Sequence, residues 1–199
     1  MPSFVSEKLK TIFVDIPGTG GEPILDLFLE TDTHETLQIK SHLNSDCDRY
    51  ASISQLHRIL DDTPDAYFSF SFYRNTFAWL YAIYSEISNS RQHHQHPMIN
   101  GKDFKTYATE IAPALIGSEK GHITSDGECA VIRLEDYETF SDSIHKILYE
   151  LGFPKKVISD FFAFQPPSKV DYAEQYNSTL RQQVSEIFKE DIEYFGFKF

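Results

Sequence analysis

An α/β fold, its mainly parallel sheet flanked by helices, is predicted by three observations. Short β-branched or aromatic runs alternate along the chain with stretches of helical, three-to-four periodicity. A glycine-rich turn, Gly18-Thr19-Gly20-Gly21, separates the first such run from the first helical stretch. Apolar residues make up 41% of the chain, with 17 Phe and 11 Tyr among 199 residues, enough for a full core. That length suits one domain, so 1–199 is read as a single one.

The opening strand is Thr11–Ile16 (TIFVDI), stopped by Pro17. After the turn, Ile24, Leu25, Leu27 and Phe28 repeat with helical spacing, and Pro23 is tolerated in a first helical turn, where its missing N–H would be unpartnered anyway. Ile53, Leu56 and Ile59–Leu60 predict a short helix over 52–60, ended by the turn Asp61-Asp62-Thr63-Pro64. Phe68, Phe70 and Phe72 alternate with small polar residues over 67–73, the period of a strand. Phe77, Leu80, Tyr81, Tyr84 and Ile87 form one helical stripe, and the polar, His-rich segment 91–101 reads as a loop. A short helix over 103–111, a strand over 130–134 (AVIRL), a helix over 137–151 stopped by Gly152 and Pro154, and a last helix over 179–195 complete the pattern.

The balance of 18 basic and 30 acidic residues gives a net charge of −12. Phosphate contacts dominate binding to nucleic acid and anionic lipid, so neither is an expected partner. No apolar run approaches the roughly 20 residues a membrane span needs, and no basic segment followed by an apolar one opens the chain. A soluble cytoplasmic protein is expected. Cys47 and Cys129 lack CxxC spacing, which argues against a disulfide scaffold or a thiolate zinc site. His93, His94 and His96 are imidazoles on one loop with nothing to fix their geometry, so no metal is expected.

The turn after the first strand is the most informative stretch. Glycines between a strand and a helix let successive backbone N–H groups converge on an anion at the positive helix end. The macrodipole supplies only about half a charge, so such sites usually add a cation. Residues 13–21 contain none, and they match neither GxxxxGK[ST] nor GxGxxG. A tight strand-to-helix turn without a ligand accounts for the same residues.

Four segments together resemble a known family. FVDIPGTGGEPI resembles the 5′-phosphosulfate loop of carbohydrate sulfotransferases of the heparan-sulfate and bacterial type, written HIPKTGGTS. YFSFSFYRNTFAWLYAIYSE resembles that family's YFKFTFVRNPYDRLVSAYSE, IRLEDYETF its GRFENLEEDF, and the closing YNSTLRQQVSEIFKEDIEYFGFKF its last helix and D-x-x-x-FGYxF signature. The matches are collinear over about 11–199.

The resemblance implies a P-loop NTPase-like sulfotransferase fold. It also implies transfer of a sulfuryl group from 3′-phosphoadenosine 5′-phosphosulfate (PAPS) to a hydroxyl of a carbohydrate or small-molecule acceptor. The implied donor-binding residues are Gly18, Thr19, Gly20, Gly21, Arg74 and Asn75, for PAPS or its product PAP. The implied catalytic residues are His42, as general base, and Asp15 in the slot of the family's loop histidine. Several positions depart from the pattern. The loop lysine aligns with Gly18, the Thr-Ser after the loop with Glu22-Pro23, a second arginine with Trp79 and a phosphate-binding serine with Ala82. Each charge-assisted bond lost is worth roughly 1.5–3 kcal/mol, and a missing group at the developing charge costs roughly 10²–10³ in rate. Lys40 and Lys169 are the cations placed to substitute. Trp79 either offers a sugar-stacking face or packs into the space of a nucleotide phosphate. Two alternatives follow: a catalytically inactive binding protein on this fold, or a different enzyme that uses Asp15, Glu22 and His42 without PAPS.

Overall fold

The computed structural model describes residues 3–31, 37–39, 50–58, 60, 66–163 and 171–199. In chain order its elements are β1 (Phe4–Ser6), β2 (Thr11–Val14), α1 (Gly21–Thr31), β3 (Leu37–Ile39), α2 (Ile53–His57), β4 (Phe68–Tyr73), α3 (Thr76–Asn89), α4 (His96–Ile99), α5 (Phe104–Thr106), α6 (Ala112–Leu115), α7 (Glu119–Ile123), β5 (Thr124–Ser125), β6 (Glu128–Cys129), β7 (Arg133–Asp136), α8 (Phe140–Glu150), α9 (Lys155–Ala163), α10 (Ser178–Ile187) and α11 (Lys189–Phe195). Two compact units divide the chain, Met1–Tyr73 with His122–Ser168 and Arg74–Gly121 with Lys169–Phe199.

The first unit carries, among the described residues, a five-stranded sheet of order β3-β1-β2-β4-β7. β1 is antiparallel to β3 and to β2, while β2–β4 and β4–β7 are parallel, so four strands run one way and β1 runs against them. The fold is therefore α/β with a mixed, mostly parallel sheet flanked by helices. β1 lies between β2 and β3 and is too short, at three residues, for periodicity to reveal it.

The alternation in β4 works as its spacing predicts. Phe70 and Phe72 join the core with Phe4, Phe13, Phe28 and Phe140, the Phe13–Phe70 and Phe72–Phe140 ring centroids being 5.0 and 4.6 Å apart. Ser69 and Ser71, on the other face, are also buried. Each is small enough to satisfy itself locally: Ser71 Oγ donates to the Val14 carbonyl at 2.7 Å, and Ser69 Oγ accepts from the Ile132 N–H at 2.9 Å. Burial on both faces is what a central parallel strand requires.

Within the predicted 137–151 helix, α8 buries Phe140, Ile144, Ile147 and Leu148 at helical spacing. It stops at Gly152, which takes φ 82° while the Phe153 N–H returns to the Leu148 carbonyl at 3.0 Å. Arg133 links β7 to α8, at 2.7 Å from Glu135 and 2.6 Å from Glu150. Burial alone would raise the Glu135 carboxyl, but bonds from Arg133 and the Ser143 hydroxyl outweigh it and hold the group below the usual carboxylate range.

The second unit is helical. α3 buries Phe77, Trp79, Leu80, Ile83 and Ile87, and the Tyr176 hydroxyl donates to the Phe77 carbonyl at 2.9 Å. Burial raises that phenol well above its usual range. The predicted 103–111 helix becomes α5 followed by a π-helical turn, Tyr107–Ile111, just before Pro113, which has no N–H to give. The expected single closing helix breaks at Phe188 (φ −103°, ψ 29°) into α10 and α11. Other boundaries also moved: β2 ends at Val14, α2 covers only Ile53–His57, β7 starts at Arg133, α4 interrupts the 91–101 loop, and α9 has no counterpart in the sequence reading.

Candidate functional site

The turn after β2 begins as a Pro-Gly reverse turn. Pro17 presets the first corner, Gly18 takes φ 74° at the second, and the Thr19 N–H closes on the Ile16 carbonyl at 3.2 Å. That is the pattern of a type II turn, which favours glycine at the second corner because an L side chain is strained there. The Thr19 hydroxyl donates to the same carbonyl at 2.7 Å, and Thr19 is fully buried. One amide of the expected anion cradle is thus spent inside the turn. Gly20 also has positive φ, 79°, and a Cβ there would stand 3.4 Å from the rings of Tyr137 and Phe140.

Asp15 is 3% exposed, and its N–H donates to Ser3 Oγ at 2.9 Å, Ser3 in turn donating to the Ala51 carbonyl at 2.9 Å. Its carboxylate lies against Gly21, the first residue of α1, where any Cβ would collide with it. A carboxylate is the charge a helix N-terminus stabilises, and here the chain supplies one itself. Glu22, exposed in the same first turn, adds a second negative charge.

One prediction follows. Gly21→Ala raises helix propensity by up to about 1 kcal/mol, yet its methyl must displace a buried carboxylate, so a net loss of roughly 1–3 kcal/mol is expected. Asp15→Ala in the same chain should relieve the clash, giving a non-additivity above about 0.5 kcal/mol in urea unfolding. Strictly additive losses would mean the two groups do not meet.

In the second unit Arg74, 3% exposed, gives its backbone N–H to buried Glu119 Oε1 at 2.8 Å. Asn75 is the N-cap of α3: its Oδ1 accepts from the Phe77 N–H at 3.0 Å and its Nδ2 donates to the Lys198 carbonyl at 3.0 Å. Trp79 is fully buried, its ring edge-on to Phe188 at 6.3 Å, so it is core and presents no sugar-stacking face. His42, Lys40, Cys47 and Lys169 lie outside the described residues. The histidine loop uses its imidazoles on main chain, His96 Nδ1 at 2.9 Å from the Ile87 carbonyl and His93 Nδ1 accepting from the Gln95 N–H. Among the described residues no group of three or more His, Cys, Asp or Glu side chains is arranged to hold a metal, and no helix is long and apolar enough to cross a membrane.

The sequence alone points to no site role for Ser3, Glu119 or Asp191, and to Tyr137 and Phe140 only as the apolar stripe of a helix. Asp191 stands in the closing D-x-x-x-F-G signature; Glu119 carries no local signal at all. Comparison of the chain with protein-family models, curated proteins and solved structures finds no match.

Proposed function

We propose that this chain is a sulfotransferase-like α/β protein that acts as a binding or partner protein and does not transfer a sulfuryl group from PAPS. The observation that carries this reading is the Asp15 carboxylate against the first residue of α1, beside the glycine-rich turn. A phosphosulfate seated at that helix end would meet a fixed negative charge, with Glu22 adding another, where the resembling family offers a lysine. Gly18 holds a left-handed corner in place of that lysine, and the Thr19 amide is already bonded. The four resembling segments support the sulfotransferase ancestry and its P-loop-like fold; the turn's own bonding supports the loss of the donor. The acidic composition, 18 basic against 30 acidic residues, also supports partners other than nucleic acid.

A second reading, residual PAPS chemistry on a carbohydrate or small hydroxylated acceptor, is favoured by the retention of Gly20, Gly21, Arg74 and Asn75. One experiment separates the two. In thermal unfolding, millimolar PAP is expected to leave the melting temperature unmoved, and radiolabelled PAPS is expected to transfer no sulfate to a pool of sugars and phenols. A saturable PAP-dependent rise, or any turnover, would replace the first reading with the second.

A further inference from the structure

Two buried carboxylates stand between the closing helix and Arg74. The Ser118 hydroxyl and the Lys120 N–H donate to Asp191 Oδ1 at 2.6 and 2.9 Å, and the Glu119 N–H donates to Asp191 Oδ2 at 3.2 Å. Glu119 Oε1 then accepts the Arg74 N–H. Asp191 is 1% exposed and Glu119 fully buried. A second tie reaches the next residue, through the Lys198 carbonyl on the Asn75 amide. Phe199 anchors that end, with the Arg181 guanidinium 3.5 Å over its ring and Phe77 edge-on at 5.0 Å.

Burying a carboxylate is costly unless bonds satisfy its oxygens; the two Asp191 oxygens take three donors and Glu119 Oε1 takes the Arg74 N–H. We infer that residues 189–199 form a clasp on residues 74–77, with Asp191 and Glu119 as positioning residues for Arg74. The carboxylates order the Ser118–Lys120 bend and, through it, the main chain at residue 74; the terminal tie orders the cap of α3. This inference stands apart from the donor question, because the clasp holds whether or not PAP binds.

Glu119 supplies the Arg74 main-chain N–H with an acceptor, which a glutamine carbonyl also supplies. Native-state hydrogen exchange on the full chain tests this. In Glu119→Ala the Arg74 amide should exchange roughly tenfold faster, the equilibrium worth of one such bond, while β2 amides stay at wild-type rates. Glu119→Gln should restore Arg74 to near wild type. Asn75→Ala should speed the Phe77 amide and leave Arg74 unmoved. An unchanged Arg74 amide in Glu119→Ala, a uniform acceleration, or a Glu119→Gln protein with Arg74 as fast as in the alanine variant would overturn the clasp. If Glu119→Ala does not fold, Glu119→Gln decides alone: retained protection at Arg74 supports the inference and a tenfold loss defeats it. The PAP titration above reads out separately, on unmodified protein.

Discussion

Trp79→Ala is expected to cost about 3–5 kcal/mol of stability, among the largest losses any single truncation in this chain will show. The side chain is fully buried on α3, one turn past the cap, and its removal leaves a cavity beside Phe188 that neighbouring helices cannot refill. Trp79 is the chain's one tryptophan, so unfolding has to be followed by far-ultraviolet circular dichroism in urea and not by indole fluorescence. A loss below about 1 kcal/mol would place the ring at the surface and revive a role in stacking on a ligand. The same position bears on the donor. In the resembling motif an arginine stands here, and Trp79→Arg would bury a guanidinium with no partner supplied, which is expected to destabilise more than alanine does. An arginine here, as the resembling motif has it, is therefore not accommodated by one substitution, because α3 is packed around an indole.

Much of the architecture was legible because it rests on local periodicity. The Phe68, Phe70, Phe72 alternation and the Phe140, Ile144, Ile147 stripe name both the element and its buried face, since the apolar side of each can satisfy itself in only one orientation. β1 and α9 were not legible. Three residues cannot show a period, and strand direction is decided by pairing partners distant in sequence, which is why the antiparallel β1 could not be anticipated in a mainly parallel sheet. The turn was half legible. Gly18 and Pro17 spell a reverse turn as plainly as a ligand loop, and only the bond from Thr19 to Ile16 distinguishes the uses. Asp15, implied by the resemblance as catalytic in the slot of the loop histidine, has its carboxylate against Gly21, a contact formed only once the chain folds back from β2 into α1. For Arg74 and Asn75, implied by the resemblance as ligand contacts, the Arg74 main-chain N–H and the Asn75 side chain bond to Glu119, Phe77 and Lys198, two of which lie more than forty residues away in sequence.

Asp191→Ala should rival the tryptophan truncation, again at about 3–5 kcal/mol, for an electrostatic reason. Its two oxygens serve three donors, the Ser118 hydroxyl and the amides of Glu119 and Lys120. Truncation strands all three, one buried and two half-buried; a buried donor left unmade costs roughly 1–3 kcal/mol, and the sum falls short of additivity because the bend can partly relax toward water. Asp191→Asn keeps one carbonyl oxygen but turns an NH₂ toward a donor, so it should fall between wild type and alanine. The neighbouring Lys120–Glu190 pair, 3.4 Å apart with the glutamate side chain 84% exposed, supplies the contrast. Exposed pairs contribute little, so Glu190→Ala should change stability by no more than about 0.5 kcal/mol. Two adjacent acids on α11 would then differ several-fold in effect, and the difference tracks burial and bond count. If urea midpoints of the two alanine variants coincide, the Asp191 bonds are not formed in solution, and the closing signature holds nothing.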